Sequence, residues 1–396
     1  MVRQASVFCQ LLQFFPQSRF VQMMKKHGTE RNSKGFSTWT QFVAMLFCHL
    51  AQAKSLREIC DGLRSCEGKL VHLGIFQSPS RSTLSYANEH RSWELYQDLF
   101  YETLAHCKVN VPGKKLRFKN KLLSIDATVI DLCLNMFPWA KFRTTKGAVK
   151  LHLLLDHDGY MPSFVWIKEA AVHEINFARS LDLPTGSIVA MDMGFTDYEL
   201  YGKWTQKGIG FVTRQKGNAK YRVIETRDVP KNRNILTDEI IKYTGVNTRK
   251  KCPNKMRRIV VFDKEKQENI VLLTNILHFG ATTIAAIYKE RWQIELFFKA
   301  LKQNLKVKTF VGTTENALKI QIWTALIAML LLKYLQFKST MNWSLSNLVF
   351  LLQRNLFTYR NLWEWINRPF DTPPLEPHPV QLALKMPGLG QHLVKS

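Results

Sequence analysis

The chain opens with apolar positions at helical spacing. Phe14, Phe15, Phe20, Met23 and Met24 surround a turn at Pro16, and after a polar break over 28–35 the run 39–53 is apolar enough for a buried helix. Ser55 and Glu58 have the spacing of a capping box, with Ser55 as N-cap, and open a short helix over 56–63. A second start follows at Ser80, Arg81, Ser82 and Thr83, and runs past Tyr86, His90 and Trp93. Two short helices, the later one polar and basic, suit a helix-turn-helix-like DNA reader, and equally an ordinary helical bundle with charged faces. The stretch 109–115, with Pro112 and Gly113, predicts a boundary that makes residues 1–112 a helical N-terminal domain.

From Leu116 the period becomes strand-like. The runs 122–130, 151–155 and 163–167 predict three strands, the last two joined by the turn residues Asp156, His157, Asp158 and Gly159. A helix over 170–181 precedes a short apolar strand, 187–191, that ends at Asp192. Further strands are predicted over 209–214, 221–226, 258–262 and 270–274. The stretch 288–302 reads as one amphipathic helix, in which Tyr288, Arg291, Glu295, Lys299 and Lys302 recur every three or four residues and share a face. Helices over 315–337 and 345–366 and an extended Pro-rich tail from Pro369 complete the chain. Strands interleaved with helices, with an antiparallel hairpin near the start, predict an α/β fold.

Composition narrows the picture. With 396 residues, 46% hydrophobic and 12% aromatic, the chain has material for two or three globular domains. The 56 Lys and Arg against 31 Asp and Glu leave a net charge of +25, which calls for a polyanion. The bases are spread along the chain, which favours a nucleic-acid path over an anionic membrane. Residues 201–260 alone carry 16 Lys and Arg against 4 Asp and Glu, a loop-rich basic segment that reads as a phosphate-binding platform or as a solvated region. The seven cysteines form no C-x-x-C pair, so neither a disulfide framework nor a zinc site is expected. No signal-peptide h-region is visible near Met1, and the most apolar window, 322–332, is too short to span a bilayer. A soluble, cytoplasmic protein associated with the nucleoid, and no membrane partner, is therefore expected.

Three carboxylates stand in unusual places. Asp126 lies inside an apolar strand pattern, Asp192 ends another, and Glu295 sits among bases. A buried acid is costly unless it is paired or binds a cation, and three converging carboxylates supply the hard oxygen ligands that Mg²⁺ prefers. Asp131, Asp156, Asp158 and Asp197 compete for such a role, and spacing alone does not choose among them. The stripe around Glu295 is likewise compatible with ordinary i,i+4 ion pairs on a solvated helix.

The pattern Tyr288-x2-Arg291-x3-Glu295-x6-Lys302 resembles the Y-R-E-K signature of the DDE transposases of bacterial insertion sequences, in insertion-sequence family four. The segments around Asp126 and around Asp192, Gly194 and Asp197 resemble the first- and second-aspartate segments of that family, and 211–214 and 273–275 resemble two of its strands. The similarity covers roughly 116–340. It implies a ribonuclease H-like catalytic core with a basic, β-rich insertion at about 200–275, preceded by an α-helical DNA-binding domain and followed by a helical segment and tail over 341–396. By the same resemblance Asp126, Asp192 and Glu295 are catalytic and ligate Mg²⁺ or Mn²⁺, as two ions. Tyr288, Arg291 and Lys302 then contact the terminal phosphate of the transposon end, with Lys299 and Arg214 as further phosphate contacts. The family cleaves double-stranded DNA at inverted repeats, in some members through a hairpin, joins the 3′-hydroxyl to target DNA and acts as a homodimer. Trp204 and Tyr221 are candidates for stacking on a flipped base where hairpins form. Two other readings fit the same residues: a metal-dependent nuclease without strand transfer, and a decayed transposase that remains a DNA-binding regulator.

Overall fold

The computed structural model describes residues 5–31, 33, 35–109, 118–133, 135–143, 146–169, 173–231, 233–304 and 310–371. The expected Pro-rich tail lies almost wholly outside these residues, as does most of the expected boundary at 109–115. Six helices fill the first hundred positions: α1 (Val7–Leu12), α2 (Gln17–His27), α3 (Thr38–Leu50), α4 (Leu56–Arg64), α5 (Arg81–His90) and α6 (Glu94–Val109). Their starts are written locally. Ser37, Ser55 and Ser80 are N-caps whose hydroxyls accept the N–H of Thr40, Glu58 and Thr83, satisfying a donor that the helix itself leaves open. Glu58 reaches back one residue past the cap and accepts the N–H of Lys54 at 2.8 Å, in place of the Ser55 N–H that a regular capping box would use.

Ten strands then build one sheet: β1 (Leu122–Leu132), β2 (Lys141–Arg143), β3 (Lys146–Asp156), β4 (Met161–Glu169), β5 (Ile188–Met191), β6 (Gly210–Arg214), β7 (Tyr221–Thr226), β8 (Ile235–Tyr243), β9 (Met256–Asp263) and β10 (Glu268–Thr274). Their order is β2-β3-β1-β5-β6-β10-β9-β8-β7, with β4 also paired to β3. β1 runs antiparallel to β3 and parallel to β5, and β5 runs parallel to β6. β4-β3-β1-β5-β6, three antiparallel strands followed by two parallel ones, is the ribonuclease H-like core.

Side-chain alternation along β1 and β5 assigns the two faces of this core. Leu123, Ile125, Val189 and Met191 pack beneath α7 (Glu174–Ser180) and α8 (Tyr198–Gln206). Leu122, Ile188 and Ala190 point the other way, toward the later helices. The structure narrows the expected β-rich insertion, because α8 and β6 are core elements and β10 pairs directly with β6. β7 to β9, with the short α9 (Val246–Lys251), extend the same sheet outward. β8 was not legible as a strand because Thr237, Asp238 and Glu239 interrupt its apolar run. Asp238 is nevertheless 3% exposed, its carboxylate paired at 2.6–2.7 Å with the equally buried Arg257 of β9.

The stretch expected as one helix over 288–302 is two, α10 (Ala281–Glu290) and α11 (Trp292–Asn304), divided at Arg291. There the backbone tightens to i→i−3 bonds, Arg291 N–H to Tyr288 C=O and Ile294 N–H to Arg291 C=O. The two helices serve different cores: α10 buries Ala281, Ile284 and Ile287 against β5, β6, β8 and β10, whereas α11 buries Ile294, Phe297, Phe298 and Leu301 in the larger helical cluster. That cluster centres on α12 (Glu315–Lys338), in which every residue from 320 to 332 is buried. α3, α5 and α6 pack around it. Two of its polar side chains are paired: Gln321 accepts the Val311 N–H at 2.9 Å, and Thr324 meets the His49 imidazole at 3.0 Å, whereas the buried Trp323 Nε1–H has no acceptor among the described residues. α12 is long and apolar enough to cross a membrane, but 89% of its most apolar window is buried inside the fold. The expected helix over 345–366 is likewise two, α13 (Leu345–Asn355) and α14 (Leu362–Asn367), the second capped by Asn361.

Candidate active site

The parallel register of β1 and β5 places Ile125 opposite Met191, so Asp126 and Asp192 leave adjacent strands side by side. Both share parity with the α10-facing residues, Asp126 with Leu122 and Asp192 with Ala190. β5 ends at Met191, and Asp192 is the N-cap of a 3₁₀ turn over 193–195. Glu295 comes from the first turn of α11. Lys302, two turns on, donates to the Val129 carbonyl of β1 at 2.7 Å and so fixes α11 against the strand that carries Asp126.

Arg291 lies at the centre of this group. Its guanidinium reaches Asp126 Oδ2 at 3.4 Å through Nη1 and Glu295 Oε1 at 2.5 Å through Nη2. It also lies 5.7 Å from the centroid of the Tyr288 ring, which is 8% exposed, while the Arg214 guanidinium lies 5.8 Å from the same centroid. The Nε donors of both arginines are buried without an acceptor. Burial pushes the Asp126 carboxyl up to about 6; the Ala127 N–H and Arg291 pull it down, and the Glu295 and Asp192 carboxylates push it up again. Asp126 is therefore crowded by two neighbouring carboxylates, and one guanidinium answers part of that repulsion.

The competing acids have other employment. Asp131 is exposed on β1. Asp156 forms ion pairs with Lys121 at 2.9 Å and Lys108 at 3.2 Å, and accepts the Asp158 N–H in the β3–β4 turn. Asp197 caps α8 through the Leu200 N–H and pairs with Arg179. Of the expected bases, Arg214 and Arg291 meet at Tyr288, Lys302 is anchored to β1, and Lys299 is exposed on α11. The two aromatic candidates differ. Trp204 is 3% exposed in α8, packed with Phe211, and cannot receive a base without leaving the core. Tyr221 is half-buried at the start of β7, beneath Arg258.

Sequence reasoning missed a buried polar chain beside the site. Ser124, two residues before Asp126, meets His157 Nε2 at 2.7 Å. His157 Nδ1 approaches Glu290 at 3.5 Å, and the Tyr160 hydroxyl donates to the same carboxylate at 3.2 Å. The chain bolts the β3–β4 turn to the last residue of α10, next to Arg291. A polar Ser in an apolar strand, on the face of Asp126, was its only local signal.

The donor chemistry fits hard divalent cations, because hard carboxylate oxygens are brought near one another from the middle of β1, the end of β5 and the first turn of α11. As placed, among the described residues, no three His, Cys, Asp or Glu side chains close on a single point, since the Arg291 guanidinium stands between Asp126 and Glu295.

Residues 117–331 match the sequence family described as the transposase DDE domain, and residues 3–76 match a domain of unknown function (DUF4372). A protein of Sinorhizobium fredii (strain NBRC 101917 / NGR234) that carries the name transposase y4zB is 29% identical over 305 residues, covering 76% of this chain and 83% of its own. A probable transposase for insertion sequence element IS5377 of Geobacillus stearothermophilus is 28% identical over 343 residues, covering 85% of this chain and 87% of its own. Among solved structures, the piggyBac transposase synaptic complex with hairpin DNA aligns with a TM-score of 0.48 and 11% identity, over 94% of this chain and 83% of that one.

Proposed function

This chain belongs to the DDE-domain transposases of bacterial insertion sequences, and from that premise we propose that it binds the terminal inverted repeats of its element, cuts each end by phosphodiester hydrolysis and joins the freed 3′-hydroxyl to target DNA. The observation that supports the reading is that Asp192 and Glu295 both neighbour Asp126, with Arg291 bridging Asp126 and Glu295. Mg²⁺ or Mn²⁺, as two ions held by Asp126, Asp192 and Glu295, would supply the Lewis acidity that draws charge from the attacked phosphodiester. In cleavage a water oxygen bonds to phosphorus and the P–O3′ bond breaks, leaving a 3′-hydroxyl and a 5′-phosphate. In joining, that 3′-hydroxyl attacks a target phosphodiester; an attack on the opposite strand first gives the hairpin route.

The remaining roles follow from donors and burial. Arg214 and Arg291 each bring a buried, unpaired Nε–H, suited to the oxygens of the terminal phosphate, and the Tyr288 ring between them keeps both guanidiniums in place. Lys299 approaches the backbone of the same DNA end from the exposed face of α11. Lys302 holds α11 to β1, so that Glu295 faces Asp126, and lies on the phosphate side of the helix. Residues 1–112 bind the repeats, residues 116–340 carry the chemistry, residues 341–396 follow them in sequence, and a homodimer brings two ends together.

Asp126→Asn, Asp192→Asn and Glu295→Gln test the reading with labelled duplexes made from the DNA that flanks this reading frame, in Mg²⁺ or Mn²⁺. Each variant is expected to retain duplex binding and to lose about 10³-fold or more in end cleavage, several kcal/mol of transition-state stabilisation. Wild-type cleavage by any of the three would remove that residue from the mechanism. Supplying a pre-cut 3′-hydroxyl end separates a transposase from a nuclease, because only the former yields joined product.

A further inference from the structure

The N-terminal helices hold a second basic site, away from the carboxylates. A cleft of about 760 Å³ opens between the start of α4 and the start of α5, and is closed on a third side by Phe310 and Val311, in the segment that leads from α11 to α12. Lys54, Arg57 and Arg81 line it, together with the hydroxyls of Ser82 and Ser85. All three basic side chains are exposed and, among the described residues, none of them is in an ion pair. The one acid in the lining, Glu58, is already engaged by the N–H of Lys54. Three bases around one concave surface, with hydroxyl donors between, form a receptor for an extended anion. The amino ends of α4 and α5 both open into the cleft and add to its positive potential. Along α5 the exposed face continues through Tyr86, 65% exposed and stacked on His90 at 3.9 Å.

We propose that this cleft grips the sugar-phosphate backbone of double-stranded DNA, with Lys54, Arg57 and Arg81 each meeting a phosphate and with the exposed face of α5 against the groove. The inference rests on the DNA-processing reading above and names a contact surface for that DNA distinct from the carboxylate centre. A chain of net charge +25 that has three unpaired bases in one cleft complements a polyphosphate rather than a neutral or cationic partner.

The test is fluorescence anisotropy with a fluorescein-labelled 30-base-pair duplex of mixed sequence, without divalent metal, over a NaCl series. Each lost phosphate contact lowers the slope of log K against log[salt] by about 0.9. Lys54→Gln/Arg57→Gln/Arg81→Gln is expected to lower the slope by about 2 to 3 and to weaken binding at least about tenfold at 100 mM salt. Ser82→Glu guards against a folding artefact: a carboxylate in the first turn of α5 favours the helix and opposes the phosphate. Its thermal midpoint is expected to hold or rise while binding falls about tenfold. Lys338→Gln/Arg354→Gln, which removes exposed charge outside the N-terminal helices, should leave both affinity and slope near wild type. A triple variant with the wild-type slope, or a folded Ser82→Glu with wild-type affinity, overturns the cleft assignment and leaves the catalytic reading standing. A wild-type protein that binds no duplex overturns both.

Discussion

Arg291 does at the residue scale what no i,i+4 pairing argument anticipates. Spacing alone makes it a partner for Glu295, but the fold gives it a second one, Asp126, from a strand 165 positions away. Removing the guanidinium takes away the cation that competes for those carboxylates and also a donor to the DNA phosphate. Arg291→Ala is therefore expected to bind Mn²⁺ at least as tightly as wild type in calorimetry without DNA, while end cleavage falls at least about tenfold. Weakened metal binding with intact cleavage would sink the phosphate role. His152 makes a separate prediction. It is fully buried on β3, stacked on Phe177, with neither ring nitrogen hydrogen-bonded. Burial, with Lys150 adding to it, lowers its pKa to about 4. A histidine lowered in the folded state is neutral there and protonated when unfolded, so stability is full above the unfolded value of about 6.5 and is lost as pH falls toward 4. Denaturant titrations should show about 2 kcal/mol lost between pH 6.5 and pH 5 in wild type, and that much less loss in His152→Phe.

Among elements, the strands beyond β6 depend on one buried ion pair. Arg257 of β9 is held by both oxygens of Asp238 on β8, and its Nη1 also meets the Phe279 carbonyl just before α10. The pair thus ties the outer sheet to the start of the helix that leads to Tyr288 and Arg291. Asp238→Ala leaves a buried guanidinium without its counter-charge, and a destabilisation of about 3–5 kcal/mol is expected in equilibrium unfolding. A loss below about 1 kcal/mol would mean that the carbonyls alone satisfy Arg257. Element identity was legible where it is local. Ser55 and Ser80 announce α4 and α5 because a cap needs only the next three residues. The break at Arg291 was not legible, because the apolar stripe runs on unbroken through it; it exists because α10 and α11 answer to two different cores.

For the whole molecule the organising element is α12. It follows the last of the three carboxylates in sequence, yet it is buried by α3, α5 and α6 from the first hundred residues and by α13 behind it. One continuous apolar cluster runs from Val7 to Ile366. A chain beginning at residue 116 would expose much of the apolar surface of α12, and such surfaces self-associate. Produced alone, residues 116–371 are expected to elute as aggregate in size-exclusion chromatography, and co-expression with residues 1–115 to restore a discrete species. A monomeric, stable 116–371 fragment would show that α12 does not need the N-terminal helices.

The sequence by itself determined the class of protein. Net charge pointed to a polyanion, the alternation of periods pointed to α/β, and the residues around Asp126, Asp192 and Glu295, with Tyr288 and Arg291, carried the family resemblance. Those signals are local or additive, so they survive without coordinates. What only the tertiary structure decided is which groups meet. The β1–β5 register sets Asp126 beside Asp192, Lys302 pins α11 to β1, and Arg291 comes to stand between two carboxylates. The structure likewise moved Trp204 into the core and drew the bases of α4 and α5 around one cleft. Contacts across more than a hundred residues depend on register and packing between elements, and no periodicity within an element encodes them.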